Sequence, residues 1–403
     1  AEAEGGRVTV TSSTQIPQIV RRVVGQALGV GWGKVRIIKP YIGGGFGNKQ
    51  DALYEPLCAW VCTQVGGRTV KIDTTREETF VNQRVRHAMQ IKITSWVRPD
   101  GTFAARRYEC YSDQGGYASH GHSIASKAMN CFHEMYQCAN VESDAWTVYT
   151  NKPSAGAMRG YGIPQAMWAG ECHIDDVCKQ MGFDPVQFRI QNIMEAGHVN
   201  HFNKNENFND SLRSTLLKGA EHFGYAETLA RCESQDPAAR IRRGVGVASF
   251  WYNTAVWPIS LEASSCRMVM NQDGSVQFEI GETEIGQGAD TAFAQMVADT
   301  VGVPFEKVHV LTTQDTDISP FGTGAYASRQ TYVAGFAIHN IGTQLKNKVL
   351  KYAEYLTGKP AETLDLVDGI VLEKDTKEEL MPLEELATSA LYSTDQAEQF
   401  SAE

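Results

Sequence analysis

The chain has 403 residues, of which 42% are hydrophobic and 21% are charged, as expected for a globular protein with two or more domains. Its formal net charge of −10 argues against nucleic acid or an anionic membrane as the main partner. It contains no run of about 18 apolar residues, and its acidic opening, AEAEGG, does not resemble a signal peptide. We therefore expect a cytoplasmic protein that does not enter a membrane.

In chain order, the hydrophobic periodicity predicts a strand, a helix and a second strand, followed by a glycine-rich loop and a second helix. The next segments are predicted to be a β-hairpin, two loops rich in small residues, and two helices joined by a turn in which Asp184 is the N-cap. The predicted ranges of these segments are 7–12, 14–29, 35–39, 41–50, 51–65, 91–112, 114–129, 154–165, 166–181 and 185–195.

The glycine-rich loop has the sequence YIGGGFGNKQ, residues 41–50. It fails the P-loop pattern, because Asn48 stands where that pattern needs its second glycine and Gln50 replaces the serine or threonine after Lys49. It fails the dinucleotide pattern G-x-G-x-x-G at Asn48 as well. Consecutive glycines nevertheless let backbone N–H groups approach a phosphate or a flat ring closely. The loop is either a cofactor loop or an ordinary strand-to-helix turn.

Direct metal binding by side chains has little support in the sequence. The nine cysteines are irregularly spaced and form no CxxC pair, so we expect reduced thiols. Cys58, Cys62, Cys172 and Cys178 fall in helical patterns and are predicted to be core residues. His120 and His122 could chelate a metal, but no acidic residue or histidine lies close by in the sequence, which favours a polar loop.

The second half of the chain repeats the order of features found at the start. Strands are predicted at 245–250, 265–271 and 276–280, after a charged linker at 234–243, and the chain is predicted to be helical from residue 346 onward. The segment GSVQFEIGETEI, a helix and GVPFEKVHV match GRVTVTSSTQI, a helix and GVGWGKVRI, which indicates a duplication. Gly286-Gln287-Gly288 is predicted at a helix N-terminus, where backbone amides could bind an anion or Gln287 could simply cap the helix.

Six motifs in order resemble the molybdenum-binding subunit of bacterial xanthine dehydrogenases, in the xanthine oxidase family of molybdenum hydroxylases. They are SSTQIPQIVRRVVGQALG, GGGFGNKQD, GGYASHGHSIAS, SAGAMRGYGIPQ, TEIGQGADT and ASRQTYVAG, and the resemblance covers nearly the whole chain. It implies an α+β fold with duplicated molybdopterin-cofactor-binding domains, mixed sheets and flanking helices. We expect these domains at 1–238 and 239–403, the second incomplete at its C-terminus.

The resemblance also assigns roles to single residues. Gln15 looks like the glutamine that hydrogen-bonds an oxygen on molybdenum, and its alternative role is a helix-cap glutamine. Phe46, Arg159 and Ala327 look like the residues that surround the metal, and Arg159 also lies near substrate. The remaining assignments are backbone or amide contacts to the pterin and its pyrophosphate, from Gly44, Gly45, Gln287 and Ser328. A molybdenum–molybdopterin cofactor is implied, in its cytosine dinucleotide form.

The substrate positions depart from the eukaryotic pattern. Gln50 replaces a purine-binding glutamate, Lys127 stands roughly where an arginine is found, and Tyr161 replaces a phenylalanine that packs against a flat heterocycle. Phe250, Trp251 and Trp257 either form an opposite stacking wall or belong to the core. No Gly-Glu-Pro-Pro segment, which carries the family's general base, occurs in the sequence. We therefore expect this stretch to lack turnover on its own.

Three functional hypotheses follow from the resemblance. The first is oxidation of purines such as hypoxanthine and xanthine with water as the oxygen source. Electrons would pass to a 2Fe–2S iron–sulfur subunit and an FAD subunit, and the remaining part of the molybdenum subunit would be a further partner. The second keeps this chemistry but changes the substrate to another N-heterocycle, such as nicotinate, or to an aldehyde. The third is a non-catalytic structural or assembly module.

Overall fold

The structure is a computed structural model that describes residues 1–252, 254–256, 262–311 and 314–403. The chain divides into two compact units. The first unit consists of residues 1–77 and 253–403, and the second unit consists of residues 78–252. Within the described ranges, no helix is both long enough and apolar enough to cross a membrane.

Both units contain helices and strands. In the described ranges, helices α1 to α11 are Pro17–Leu28, Glu55–Gln64, Arg76–Asn82, Gly121–His133, Ile163–Met181, Pro185–Asn192, Ser211–Phe223, Tyr225–Glu233, Ala289–Val301, Gly335–Thr357 and Leu383–Tyr392. Strands β1 to β14 are Glu2–Glu4, Arg7–Thr11, Val35–Lys39, Ala88–Val97, Phe103–Gly115, Val141–Tyr149, Cys266–Met270, Val276–Ile280, Val308–Val310, Gln314–Asp315, Leu364–Val367, Ile370–Glu373, Glu379–Pro382 and Ser401–Ala402.

The first unit begins with a β-β-α-β arrangement. Strand β1 pairs antiparallel with β2, and α1 then crosses over so that β3 pairs parallel with β2. Helix α1 starts at Pro17, whose missing N–H costs nothing in the first turn, and it ends at Gly29 in the left-handed conformation. Its apolar side packs on the sheet through buried Val20 and Val24. Strands β2 and β3 and this helix were predicted from the sequence with bounds close to those observed, whereas β1 was not predicted.

The same arrangement recurs in the second half of this unit. Strand β7 pairs antiparallel with β8, α9 follows, and β9 pairs parallel with β8. Helix α9 also ends at a left-handed glycine, Gly302, and a short 3-10 turn containing Lys307 precedes β9, as one containing Lys34 precedes β3. The predicted internal repeat is therefore present in the backbone as well as in the sequence.

The second unit contains a third β-β-α-β arrangement, which the sequence did not reveal. Strand β4 pairs antiparallel with β5, and β5 pairs parallel with β6 after the crossover helix α4. Helices α5 and α6 follow, and the Asp184 side chain caps α6 by accepting hydrogen bonds from the amides of Val186 and Gln187. The fully buried Arg189 of α6 forms an ion pair with Glu171 of α5 at 2.8 Å.

The predicted loop at 114–129 is wrong, because α4 occupies Gly121–His133. The small residues of this stretch allow close packing between helices. Ala125 and Ala128 are buried, and a Cβ on Gly162 would lie 2.6 Å from the carbonyl oxygen of Ile124.

Three other predictions of local structure are also wrong. Residues 245–250 form no strand. Helix α2 begins at Glu55 and not at Asp51, so residues 51–54 separate the glycine loop from the helix N-terminus. The chain after residue 346 is not helical throughout, because β11, β12 and β13 form an antiparallel sheet. The turn between β11 and β12 has the sequence VDGI with Asp368 and Gly369 at positive φ, which is a strong hairpin pattern.

Candidate functional site

In the first unit, the side chain of Gln15 joins two loops that are far apart in sequence. Its Oε1 accepts the amide hydrogen of Gly47 at 2.9 Å, and its Nε2 donates to the carbonyl oxygen of Ala325 at 2.5 Å. Gln15 is 2% exposed, and its backbone also pairs with both loops, to Lys49 and Ala325. A Cβ on Gly45 would lie 2.4 Å from Oε1, so only glycine fits beside this amide. Gln15 thus fixes the glycine loop against residues 324–328.

Both loops contain residues that are not glycine but have a left-handed backbone. Phe46 has φ of 53°, Ala327 has 51° and Ser328 has 52°. Side chains with a Cβ rarely adopt this conformation, and such strain is found preferentially at binding and catalytic sites. The Phe46 ring is 57% exposed. The predicted cofactor residues of the first unit therefore include three backbone outliers on two loops joined by Gln15.

A buried arginine holds the second of these loops. Arg329 is fully buried, and it forms ion pairs at 2.5 Å with Glu262 through Nε and with Glu282 through Nη1. Nη1 also donates to the carbonyl oxygen of Gly324 at 3.2 Å. Burial raises the pKa of Glu282, and the positive charge of Arg329 opposes that rise. Arg329 thereby fixes both the start and the end of the 324–329 loop.

The predicted anion site at Gly286-Gln287-Gly288 lies at the N-terminus of α9, as expected. However, the carboxylate of Glu284 already accepts hydrogen bonds from the amides of Gly286, Gly288 and Asp290. The exposed Gln287 also has partners within the chain, because its Oε1 accepts from the amide of Ile285 and its Nε2 donates to Thr283. The turn is therefore held by internal bonds.

Three of the predicted residues lie in the second unit. Arg159 is exposed, and its carbonyl oxygen accepts a hydrogen bond from Nη2 of Arg86 at 2.6 Å. Tyr161 has φ of 52°, and its hydroxyl group is 2.7 Å from Nδ1 of His120. Lys127 lies on α4, where burial lowers the pKa of its ammonium group. His120 is thus bonded to a residue that was predicted to contact substrate.

Glu134, at the end of α4, has an unusual pKa. Burial raises it from 4.5 to about 7, while Lys127 and the amides of Asn203 and Asn205 partly oppose the rise. The pKa of Glu134 in the folded state therefore exceeds its value in the unfolded state, so folding favours the protonated carboxyl group. Its contribution to the free energy of unfolding is complete below about pH 4.5 and is lost as the pH rises through about 7.

We expect Glu134→Gln to keep the hydrogen-bond acceptor but to remove this loss. At about pH 8 the variant should be more stable by about 1–3 kcal/mol, and at about pH 5 the difference should be small. Thermal unfolding of both proteins at the two pH values measures it. Glu206→Gln, at an exposed position, is the matched control and should change neither value. A Glu134→Gln protein that is equally destabilised at both pH values would contradict the assignment.

The predicted residues are distributed over both units. The first unit contains Gln15, Gly44, Gly45, Phe46, Gln50, Gln287, Ala327 and Ser328, and the second unit contains Lys127, Arg159 and Tyr161. Phe250 is 75% exposed, whereas Trp251 packs against the core of the second unit. Trp257 lies outside the described residues. All nine cysteines are free, as predicted, but Cys172 is exposed and is not a core residue.

Among the described residues, no group of three or more histidine, cysteine, aspartate or glutamate side chains could hold a metal ion. Sequence reasoning did not single out Glu284, which holds the turn before α9, or Arg329, which holds the 324–329 loop. Both lie inside quoted motifs, TEIGQGADT and ASRQTYVAG, but their partners are backbone amides and distant carboxylates. A charged residue inside a loop of small residues was the one available signal.

Residues 1–193 and 218–403 each match a family model described as a molybdopterin cofactor-binding domain. The chain is similar to the putative xanthine dehydrogenase molybdenum-binding subunit XdhA of Escherichia coli K12, with 46% identity over 99% of this chain and 53% of that protein. It is 29% identical to the probable hypoxanthine oxidase XdhD of the same strain, over 91% of this chain and 39% of that protein.

Quinoline 2-oxidoreductase from Pseudomonas putida 86 has a similar fold, with a TM-score of 0.86 and 23% identity, over 98% of this chain and 52% of that structure. The chain thus consists of two molybdopterin cofactor-binding domains. It belongs to the xanthine oxidase family of molybdenum hydroxylases, which confirms the predicted family and fold class. It spans about half the length of the curated relatives that it matches.

Proposed function

We propose that this chain is the cofactor-holding part of a molybdenum hydroxylase that oxidises purines such as hypoxanthine and xanthine. The observation that carries the proposal is the bridge made by Gln15 between the glycine loop and residues 324–328. Bare backbone on both sides of one buried amide suits a flat pterin, which needs N–H donors and C=O acceptors at close range.

The residues that would hold the cofactor in its cytosine dinucleotide form are Gly44, Gly45, Phe46, Arg159, Gln287, Ala327 and Ser328. Gln15 and Arg159 would act as catalytic residues beside the metal. When bound, the molybdenum centre supplies two-electron oxidation of a ring carbon with oxygen taken from water. Electrons would then leave through a 2Fe–2S subunit and an FAD subunit. The proposed domain boundary is at residues 238 and 239.

Gln50, Lys127 and Tyr161 would bind the substrate. Lys127 would stabilise negative charge on the ring as a point charge, without the bidentate geometry of an arginine. The side-chain amide of Gln50 can both donate and accept, so it suits a ring with a carbonyl group beside an N–H group. The hydrogen bond between His120 and the Tyr161 hydroxyl group fixes the Tyr161 ring, so the ring can pack against a flat heterocycle with little loss of rotamer freedom.

The same residues also suit a second substrate class, which is another N-heterocycle such as nicotinate, or an aldehyde. Gln50 is the observation that favours it, because a neutral amide replaces the purine-binding glutamate of the eukaryotic enzymes. A non-catalytic assembly role is the third possibility. Inactivity of this stretch alone and a cytoplasmic location both stay predictions.

Two measurements on the intact protein test these proposals. Metal and pterin analysis should find about one molybdenum per chain, and its absence would refute the cofactor-holding role. Comparison of kcat/KM should then favour hypoxanthine and xanthine over nicotinate and over an aromatic aldehyde by at least about 100-fold. A preference for nicotinate or for the aldehyde would move the protein to the second substrate class, and no turnover with cofactor bound would favour the assembly role.

A further inference from the structure

A carboxylate of the chain itself, that of Glu284, occupies the N-terminus of α9. The carboxylate of Glu284 accepts hydrogen bonds from the amides of Gly286 at 2.5 Å, Asp290 at 3.0 Å and Gly288 at 3.3 Å. These amides include donors that a helix N-terminus would otherwise offer to a bound phosphate. The backbone bonds lower the pKa of Glu284, although burial works in the opposite direction and is the largest influence on it.

The turn that contains Glu284 is also tied to the glycine loop. The backbone oxygen of Glu284 accepts a hydrogen bond from Nζ of the fully buried Lys39, at the end of β3, at 2.7 Å. The next carbonyl, that of Ile285, accepts the amide hydrogen of Gly44 at 2.7 Å. A Cβ on Gly286 would lie 3.1 Å from the nitrogen of Gly44, so the two backbones are in close contact.

The same turn determines where the Gln287 amide points. Oε1 of Gln287 accepts the amide hydrogen of Ile285 at 2.7 Å, and Nε2 donates to the carbonyl oxygen of Thr283 at 3.2 Å and to Gln330. Gln330 in turn donates to Thr283 at 2.8 Å. Displacement of the Glu284 carboxylate would release the amides on both sides of Gln287, and the side chain would lose its defined position.

We infer that Glu284 is a positioning residue for the pterin cofactor, because its carboxylate fills the α9 N-terminus permanently and fixes Gln287 beside the glycine loop. The inference rests on the proposed cofactor role of this chain. The α9 amides then do not bind the cofactor phosphate, since a second anion at the same donors would meet the Glu284 charge. The cofactor depends on Glu284 indirectly, through the shape of the turn and the side chain of Gln287.

Variants Glu284→Gln and Glu284→Ala of the intact protein test this inference through molybdenum and pterin content after extensive buffer exchange. Glu284→Ala is expected to retain about one tenth of the cofactor or less, in line with losses on removal of residues that orient metal ligands. Glu284→Gln should retain more, because its Oε1 can still accept the hydrogen bonds from the amides of Gly286 and Gly288. Lys39→Met, which removes the bond to the backbone of the turn, should give an intermediate loss.

Val297→Ala is the matched control, because Val297 is fully buried on α9 and the change destabilises this helix without contact to the turn. It should retain its cofactor at a Tm as low as that of Glu284→Ala. Equal cofactor loss in the control, or unchanged or higher cofactor content in both Glu284 variants, would overturn this inference but not the proposed function. Absence of molybdenum from the unsubstituted protein would instead overturn the proposed function together with this inference.

Discussion

Replacement of Gln15 by alanine in the intact protein is expected to lower kcat by about 10²–10³-fold, the range observed when one donor is removed from beside a reacting centre. The substitution removes two side-chain hydrogen bonds, one to Gly47 and one to Ala325. Their loss should also reduce the unfolding free energy by about 1–3 kcal/mol. The larger effect is on geometry, because the glycine loop and the 324–328 loop would no longer be held at a fixed separation.

Three measurements separate these effects of the Gln15→Ala change: molybdenum content, kcat per molybdenum, and Tm. A catalytic role predicts a fall in kcat even after correction for cofactor content, whereas a purely structural role predicts normal turnover by each molecule that retains cofactor. Gln26→Ala is a suitable control, since Gln26 is exposed on α1 and the change should alter none of the three. Full activity per molybdenum in Gln15→Ala would remove Gln15 from the catalytic residues.

Strand β2, helix α1 and strand β3 could be predicted from the sequence because their signals are local. The apolar spacing of α1 has a period of 3.6 residues, Pro17 suits the first turn, and Gly29 provides the left-handed cap. The glycine loop at 41–50 could be located for the same reason, since consecutive glycines are visible without knowledge of their neighbours. Local patterns of this kind are sufficient when the stabilising contacts are also local.

The errors have a different physical origin. The 121–133 stretch is rich in small residues, which suggests a loop, but close packing of Ala125 and Ala128 in the interior stabilises it as a helix. This is a tertiary effect that outweighs local propensity. The VDGI hairpin at 367–370 was different, because its turn residues were a local signal that was available and was not used. The assignment of residues after 346 to helix overlooked this pattern.

The positioning residues of the candidate site could not be predicted in the same way. Arg329 pairs with Glu262 and Glu282, which are distant in sequence, and no periodic pattern connects the three. Glu284 and Gln287 bond mainly to backbone amides and carbonyls, which every residue has. The resemblance to a family supplies the residues that are proposed to face the cofactor. The contacts that hold those residues in place can be identified only in the three-dimensional structure.

Replacement of Arg329 by methionine is expected to reduce the unfolding free energy by about 3–5 kcal/mol near pH 8, the usual cost of removing one member of a buried ion pair. Methionine roughly keeps the volume, but it leaves the carboxylates of Glu262 and Glu282 without their cation. Burial already raises the pKa of Glu282, and loss of the Arg329 charge would raise it further. The deficit should therefore be smaller near pH 5, where these carboxyl groups can take up protons, and should grow as the pH rises.

Denaturant unfolding at the two pH values measures this deficit, and two comparisons identify its cause. Lys71→Met removes the ion pair with Asp73, in which the two side chains are 79% and 75% exposed, and should leave the unfolding free energy nearly unchanged. Adding Glu262→Gln and Glu282→Gln to Arg329→Met should recover part of the lost unfolding free energy, because the unpaired charges are gone.

A deficit that is independent of pH and unchanged in the triple variant would mean that Arg329 stabilises the 324–329 loop by packing and by its bonds to carbonyl oxygens. The ion pairs would then contribute little, and the retention of cofactor by the triple variant should match that of Arg329→Met.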